Sequence, residues 1–198
     1  MRDLAAWLDF AEALGFKKVL LVGHSAGATA VQIYQAQTQD TRVTGVVLAS
    51  GNVRPDTRVP PPEFVAKAKR MIADGRPEDL VQGPFVSAAT FMDIVDTPPE
   101  FKDFFGVQTP NPGVTRIRCP LLVFFGTNED VGNEEDLEIL RSSIKRHRTG
   151  PSRVNTIMIQ GADHMYAGQE DRVAQVIAGW ADTLLAAKTE TGEVSKTP

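Results

Sequence analysis

The stretch from Lys18 to Gly27, which reads KVLLVGHSAG, constrains the fold of this 198-residue chain more than any other. Its apolar run Val19 to Val22 has the length of a buried strand, and an alanine-rich helical pattern follows Gly27. A sharp turn between strand and helix holds Ser25 in a strained backbone conformation that costs about 1 to 3 kcal/mol. Glycines two residues to either side of the serine let the strand and the helix approach closely. The hydroxyl of Ser25 is therefore predicted to be held out of the fold.

Residue composition indicates a soluble globular protein with one core. Hydrophobic residues make up 42% of the chain and charged residues 23%, and both shares are typical of that class. No apolar run approaches the roughly 20 residues that a membrane helix needs, so we do not expect a membrane as partner. The net charge is −4, and the basic residues are scattered among acidic ones. Because a nucleic-acid binder needs a basic stripe, nucleic acid is not an expected partner either.

The expected location is the cytoplasm. Cys119 is the single cysteine, which excludes an internal disulfide. The first residues include the acidic Asp3 and lack the hydrophobic region of a signal peptide. The sequence also shows no spacing typical of zinc ligands, and we expect neither a metal nor another cofactor.

Four continuous apolar runs predict strands that are covered on both faces, as in a parallel sheet. They are Val19 to Val22, Val43 to Leu48, Pro120 to Phe125 and Val154 to Ile159. Helical patterns alternate with them: one is capped by Asp3, one follows Ser25, and others span residues 62–73, 87–95, 134–145 and 170–188. The first of these helices is predicted to have its apolar positions on one stripe, namely Leu4, Trp7, Leu8, Ala11 and Leu14. This alternation predicts the α/β class with a doubly wound, mostly parallel sheet.

A long insertion separates the second and third predicted strands. Residues 1–50 and 119–188 supply the core, residues 51–118 form a helical insertion, and the polar residues 189–198 are expected to be disordered. The insertion is unusually aromatic. We predict that part of it lines an apolar acyl or aromatic pocket, through Phe85, Phe91, Met92, Phe104 and Phe105.

The turn Gly23 to Gly27, set between a strand and a helix, resembles the nucleophile elbow of the α/β-hydrolase family. The resemblance implies that a serine, an acid and a histidine follow in that chain order, each at the carboxyl end of a strand. Ser25 follows the first predicted strand, Glu129 and Asp130 follow the third, and His164 follows the fourth. The resemblance therefore implies that Ser25 is a nucleophile and that His164 is its general base. It also implies that the helical insertion 51–118 is a small lid, because the family commonly places a lid between the second and third of these strands.

The identity of the acid stays open between neighbouring carboxylates. The family pattern places it three residues after the glycine that ends the third strand, which is Glu129 counted from Gly126. Asp130 would serve instead if the turn contains one extra residue. Asp56, in the loop after the second strand, is a third alternative, and Glu129 is favoured.

Two further residues have roles implied by the elbow. The backbone N–H of Ala26, at the positive end of the helix, would donate to the oxyanion of a reacting carbonyl. His24 flanks the serine and is expected to support the turn by packing or to form a wall of the pocket.

The resemblance covers only the carboxyl-terminal half of the family fold. A second oxyanion donor, which the family encodes well before the elbow, has no counterpart here, and losing one such donor costs about 10² to 10³ in turnover. The strand Val19 to Val22 would also become an open apolar edge. We expect that the chain is a fragment, that its N-terminal helix folds over this edge, or that a homodimer covers it, and the homodimer is favoured.

Two functions are consistent with these residues. The first is a cofactor-free serine hydrolase that cleaves a small-molecule carboxylic ester, thioester or lactone through an acyl-enzyme. The alternative is a truncated, inactive or weakly active module that keeps the pocket and binds a ligand or partner.

Overall fold

A computed structural model of the chain describes residues 2–83 and 86–193. Its strands are β1 (Val19–His24), β2 (Val43–Ala49), β3 (Leu80–Gln82), β4 (Val86–Ser87), β5 (Leu121–Gly126) and β6 (Val154–Ile159). Its α-helices are α1 (Arg2–Ala13), α2 (Ala26–Thr38), α3 (Pro62–Ala73), α4 (Ala88–Val95), α5 (Pro99–Lys102), α6 (Glu134–Lys145) and α7 (Glu170–Glu193), and a 3₁₀ turn spans Gly113–Arg116.

The centre of the molecule is a four-stranded parallel sheet in the order β1, β2, β5, β6. Alternate residues of each strand point to opposite faces. Leu48 and Val123 belong to the core on one face, whereas Val47 and Leu122 belong to the core on the other. Helices α2 and α6 cover the first face, and α7 covers the second. The predicted doubly wound α/β fold is confirmed.

Most predicted elements are present, with small changes at their ends. The bounds of α3, α6 and β6 agree with the prediction, whereas β1, β2 and β5 each continue one or two residues further toward the carboxyl end. Asp3 lies inside the first turn of α1 instead of before it. Helix α7 runs to Glu193, so residues 189–193 are helical where disorder was predicted, and residues 194–198 lie outside the described part of the chain.

The insertion between β2 and β5 divides into two parts. Helices α3 and α4 and the β3–β4 hairpin enclose a small core of their own, made of Ala68, Met71, Val81, Ala88 and Phe91. The segment that follows packs into the main core instead, through Phe101, Phe104, Phe105, Val114 and Ile117. Only the first part is therefore separate enough from the body to resemble a lid.

Helix α1 is oriented differently from the prediction. The apolar pattern placed Trp7 and Leu14 toward the body, yet these side chains are 69% and 61% exposed, and Leu8 is the buried residue of the helix. Arg42 ties α1 to the start of β2, since its Nη1 donates to Asp9 Oδ1 at 2.7 Å and to Glu12 Oε2 at 3.0 Å. No helix in the described ranges is long and apolar enough to cross a bilayer.

Candidate active site

The three strand ends predicted to carry the site meet at one edge of the sheet. Ser25 follows β1, Glu129 lies three residues after β5, and His164 lies five residues after β6. Because all these strands are parallel, their carboxyl ends form a common edge, which is where α/β sheets usually bind ligands. The topology thus brings together side chains that lie up to 139 residues apart in the sequence.

The turn at Ser25 has the strained geometry that its sequence predicts. Ser25 has a φ of +54°, a region that side-chain-bearing residues rarely occupy. A Cβ atom at Gly23 would collide with the carbonyl oxygen of Gly27, so the strand and helix approach closely there. A Cβ at Gly27 would meet nothing within 4 Å. The prediction that both glycines permit a close approach is therefore right for Gly23 and wrong for Gly27.

An unbroken hydrogen-bonded chain joins Ser25, His164 and Glu129. His164 Nε2 lies 3.1 Å from Ser25 Oγ, and His164 Nδ1 lies 3.0 Å from Glu129 Oε2. An ionised carboxylate only accepts hydrogen bonds, so Nδ1–H donates to Glu129. The Nε2 lone pair is then free to accept the proton of the Ser25 hydroxyl, and this is the tautomer that a general base requires.

Of the three candidate acids, Glu129 is the one that contacts His164. Its side chain is 0% exposed, whereas that of His164 is 30% exposed. Asp130 is exposed to solvent. Asp56 instead pairs with Arg58 at 2.8 Å, and the hydrogen bonds from Arg58 hold the pKa of this carboxyl below its usual range.

The second oxygen of Glu129 is held by groups that the sequence did not reveal. Glu129 Oε1 accepts from the backbone N–H of Gly126 at 2.5 Å and from the Ser50 hydroxyl at 2.8 Å. Ser50 Oγ in turn lies 2.7 Å from the hydroxyl of Tyr166. Burial raises the pKa of Tyr166 to about 12. The buried carboxylate therefore has three hydrogen-bond donors, including His164.

The loops that carry the acid and the histidine are joined to each other by several hydrogen bonds. The backbone N–H of Asn128 donates to Ala162 O at 2.9 Å, and the N–H of Gly161 donates to Thr127 Oγ1 at 2.8 Å. A Cβ at Gly126 would collide with the carbonyl of Ala162, so β5 ends in close contact with the histidine loop. These contacts keep Glu129 and His164 in a defined relative position.

His24 supports the histidine loop instead of forming a pocket wall. Its Nε2 lies 2.7 Å from the backbone oxygen of His164. A carbonyl oxygen can only accept, so His24 is the donor. The two imidazole rings lie 4.9 Å apart. His24 is not part of the cavity wall, and its hydrogen bond supports the loop of His164, whereas the prediction had it support the elbow turn by packing.

A cavity of about 840 Å³ opens beside Ser25 and Ala26. As the first residue of α2, Ala26 has a backbone N–H without an acceptor inside the helix, and it is available to an oxyanion. Phe104 lines this cavity as predicted. Phe101, another aromatic residue of the insertion, lines it too, and other apolar lining residues were not predicted, among them Ile33, Ile94 and Val131.

The other predicted pocket residues lie elsewhere. Phe91 and Met92 pack in the small core of the insertion, and Phe105 is buried in the main core. Their aromatic and apolar character reflects packing, which sequence alone does not distinguish from a pocket wall. Phe85 lies outside the described residues. Within residues 2–83 and 86–193, no group of three or more His, Cys, Asp or Glu side chains could hold a metal ion.

The profile of the alpha/beta hydrolase family matches residues 1–176 of the chain. The chain belongs to this family. A search of curated proteins found no match.

Solved structures with the same fold include enzymes that act on esters. A monoacylglycerol lipase from Paleococcus ferrophilus is 20% identical, with a TM-score of 0.57, over 92% of this chain and 74% of that protein. A carboxyl esterase from Bacillus coagulans is 13% identical, with a TM-score of 0.59, over 92% of this chain and 70% of the esterase. Est1E from Butyrivibrio proteoclasticus is 15% identical, with a TM-score of 0.57, over 92% of this chain and 68% of Est1E. At these identities the likeness concerns the fold.

Proposed function

We propose that this α/β hydrolase is a serine hydrolase that cleaves a carboxylic ester, thioester or lactone through an acyl-enzyme. The observation that carries the proposal is the hydrogen-bonded chain from Ser25 Oγ through His164 to the buried Glu129. A serine hydroxyl is a weak nucleophile unless a base removes its proton and a third group orients that base. In this arrangement His164 is the base beside the hydroxyl of Ser25, and Glu129 is the group that orients His164.

In the first half of the reaction, Ser25 Oγ attacks the carbonyl carbon while its proton moves to His164 Nε2. The resulting imidazolium is stabilised by the Glu129 carboxylate on Nδ1. The carbonyl oxygen becomes an oxyanion beside the backbone N–H of Ala26, at the positive end of α2. As the tetrahedral intermediate collapses, His164 returns the proton to the leaving oxygen or sulfur, and the acyl group stays on Ser25.

In the second half, a water molecule attacks the acyl carbon and gives its proton to His164 Nε2. The intermediate collapses again, the carboxylic acid leaves, and the proton returns to Ser25 Oγ. The two halves together use the three side chains, the N–H of Ala26 and one water molecule.

The cavity beside Ser25 supports an apolar group on the substrate. Its wall includes Ile94, Phe101 and Phe104 within a volume of about 840 Å³, which lies in the usual range for a small-molecule site. Structural neighbours described as lipases and esterases are consistent with ester hydrolysis.

Hydrolysis of p-nitrophenyl acetate and p-nitrophenyl butyrate tests the proposal. We expect Ser25→Ala to lower kcat by at least about 10³-fold and Glu129→Gln to lower it by about 10²-fold or more, since a triad acts as a unit. Asp130→Asn is the matched control, because it removes a neighbouring charge that does not contact His164, and it should retain the wild-type rate. Equal rates for wild type and Ser25→Ala would contradict the proposal. A wild-type protein that binds ester analogues without hydrolysing them would favour the ligand-binding alternative.

A further inference from the structure

We propose that Tyr166 and Ser50 form a directed hydrogen-bond relay that positions Glu129, and through it His164. The proposal rests on the proposed hydrolase function, because positioning matters only if His164 acts as the base. Neither residue belongs to the serine, histidine and acid set, although Ser50 also lines the cavity beside Ser25.

The direction of the relay follows from counting protons. Glu129 Oε1 is a carboxylate oxygen and can only accept, so the Ser50 hydroxyl uses its single proton in the 2.8 Å bond to Glu129. In the 2.7 Å contact between the two hydroxyls, Ser50 Oγ must then be the acceptor and Tyr166 the donor. The carbonyl oxygen of Phe124 lies further away, 3.4 Å from the Tyr166 hydroxyl. Each proton of the relay thus points toward the carboxylate.

Both relay residues are held rigidly by their surroundings. Ser50 and Tyr166 are only 1% and 6% exposed. Both also have positive φ angles, +49° and +57°, which non-glycine residues adopt only where the surrounding structure imposes them. The Tyr166 ring packs edge-on against the ring of Phe124, with centroids 5.5 Å apart. The hydroxyls are therefore fixed before any substrate binds.

The relay closes a ring of contacts around the acid. Tyr166 lies two residues after His164 on the same loop. The path therefore runs from His164 Nδ1 to Glu129, through Ser50 to Tyr166, and back to His164 along the backbone. It connects the loops that follow β2, β5 and β6. A shift of any of these loops would stretch at least one hydrogen bond of the ring.

A glutamate requires such support because its carboxylate is separated from the backbone by three side-chain torsions. Without Ser50, the Oε1 atom would keep only the N–H of Gly126 as donor. The carboxylate could then rotate, and the Nδ1 hydrogen bond would no longer hold the imidazole at the angle that Ser25 needs. The pKa of Tyr166, raised to about 12 by burial, keeps its hydroxyl protonated through the range in which ester hydrolysis is measured.

Two single variants and their combination test the relay kinetically. We expect Ser50→Ala to lower kcat by about 10- to 100-fold, as loss of a group that orients a catalytic ligand commonly does. Tyr166→Phe keeps the ring and should lower kcat by about 3- to 10-fold. KM should stay within about twofold in both variants. Because Tyr166 acts through Ser50, the double variant should be no slower than Ser50→Ala alone.

Two controls separate positioning from general damage to the fold. Ser50→Gly removes the same hydroxyl but relieves the positive φ, so it should lose kcat to the same extent as Ser50→Ala. Thr44→Val removes a hydroxyl that bonds Val19 O at 3.1 Å at the far end of the same strand, and it should leave kcat unchanged.

A proton NMR measurement separates failure of the relay from failure of the hydrolase proposal. The Nδ1 proton of His164, held by a carboxylate, should give a resolved downfield signal in wild type and in Ser25→Ala, which requires no turnover. The signal should broaden or disappear in Ser50→Ala. An unchanged signal together with wild-type kcat in Ser50→Ala would overturn the relay. Loss of the signal in Ser50→Ala with equal rates for wild type and Ser25→Ala would leave the relay standing and overturn the hydrolase proposal.

Discussion

At the scale of single residues, the two elbow glycines, Gly23 and Gly27, differ in how much the stability of the fold depends on them, and substitution by alanine measures this difference. Gly23→Ala would drive a Cβ into the carbonyl of Gly27 and the Cα of Ala28. We expect it to lower the free energy of unfolding by about 1 to 3 kcal/mol, as overpacking does. Gly27→Ala adds a methyl group to open space in the first turn of α2 and should be neutral or stabilising by up to about 1 kcal/mol.

Urea unfolding of both variants measures this difference directly. The two variants form a matched pair, because each substitution adds one methyl group two positions away from Ser25. If the free energy of unfolding fell equally in both variants, the conclusion that only Gly23 is needed for close packing would be wrong.

The residues of the site divide into those that a motif reveals and those that only the fold brings together. Ser25, Glu129 and His164 could be predicted because each follows a recognisable strand in a known order. Ser50 and Tyr166 are ordinary hydroxyl residues, separated from their partners by 79 and 116 positions. No local pattern marks them, since their role depends on long-range contacts. The choice between Glu129 and Asp130 likewise depended on the conformation of one turn.

At the scale of elements, the sequence predicted the long segments well and missed the short ones. Helices α3 and α6 and strand β6 have apolar patterns long enough to define both ends. Strands β3 and β4 have only 3 and 2 residues, and α5 has 4, which is too few for any period to be recognised. The prediction that the apolar stripe of α1 is buried was wrong for Trp7 and Leu14. An apolar pattern indicates which residues could be buried, but it does not indicate whether another element covers them.

Helix α4 contributes side chains both to the cavity and to the small core of the insertion, so substitutions on its two faces should have separable effects. Ile94 lines the cavity and is 50% exposed, so Ile94→Ala should raise KM for p-nitrophenyl butyrate several-fold more than for the acetate, without loss of stability. Phe91 is 8% exposed within the small core, so Phe91→Ala should lower stability there by about 3 to 5 kcal/mol.

Steady-state kinetics with both esters and hydrogen exchange over residues 62–95 measure these effects. An equal change of KM for the two esters in Ile94→Ala would show that the side chain does not contact the acyl group. If hydrogen exchange in Phe91→Ala rose as much in the central sheet as in residues 62–95, the insertion would not have an independent core.

At the scale of the whole molecule, the edge strand β1 and the segment around helix α1 both leave large apolar side chains exposed. Within the described residues β1 pairs only with β2, and Val22 of this strand is 49% exposed. Large apolar side chains in and after α1 are exposed as well, namely Trp7, Phe10, Leu14 and Phe16. A contiguous exposed apolar patch usually marks an interaction site. We propose that these side chains form such a patch and that a second copy of this chain covers it.

Sedimentation of the 198-residue chain tests the dimer. We expect a concentration-dependent dimer whose dissociation constant rises at least about tenfold in Val22→Lys, because a charge on an edge strand opposes pairing. Val59→Lys is the control, since Val59 is 86% exposed in the loop before α3, and it should leave association unchanged. A wild-type monomer at every concentration would refute the dimer.

Covalent labelling with a fluorophosphonate, followed by intact-mass spectrometry and peptide mapping, is the most direct test of Ser25 as a nucleophile activated by His164. Such a probe reacts with a serine only when a base activates it, so labelling reports the Ser25–His164 pair without assuming any substrate. We expect one adduct per chain on the Ser25 peptide of the wild type, no adduct in Ser25→Ala, and much slower labelling in His164→Ala. Labelling that persists in Ser25→Ala, or a wild-type protein that stays unlabelled, would contradict this role of Ser25.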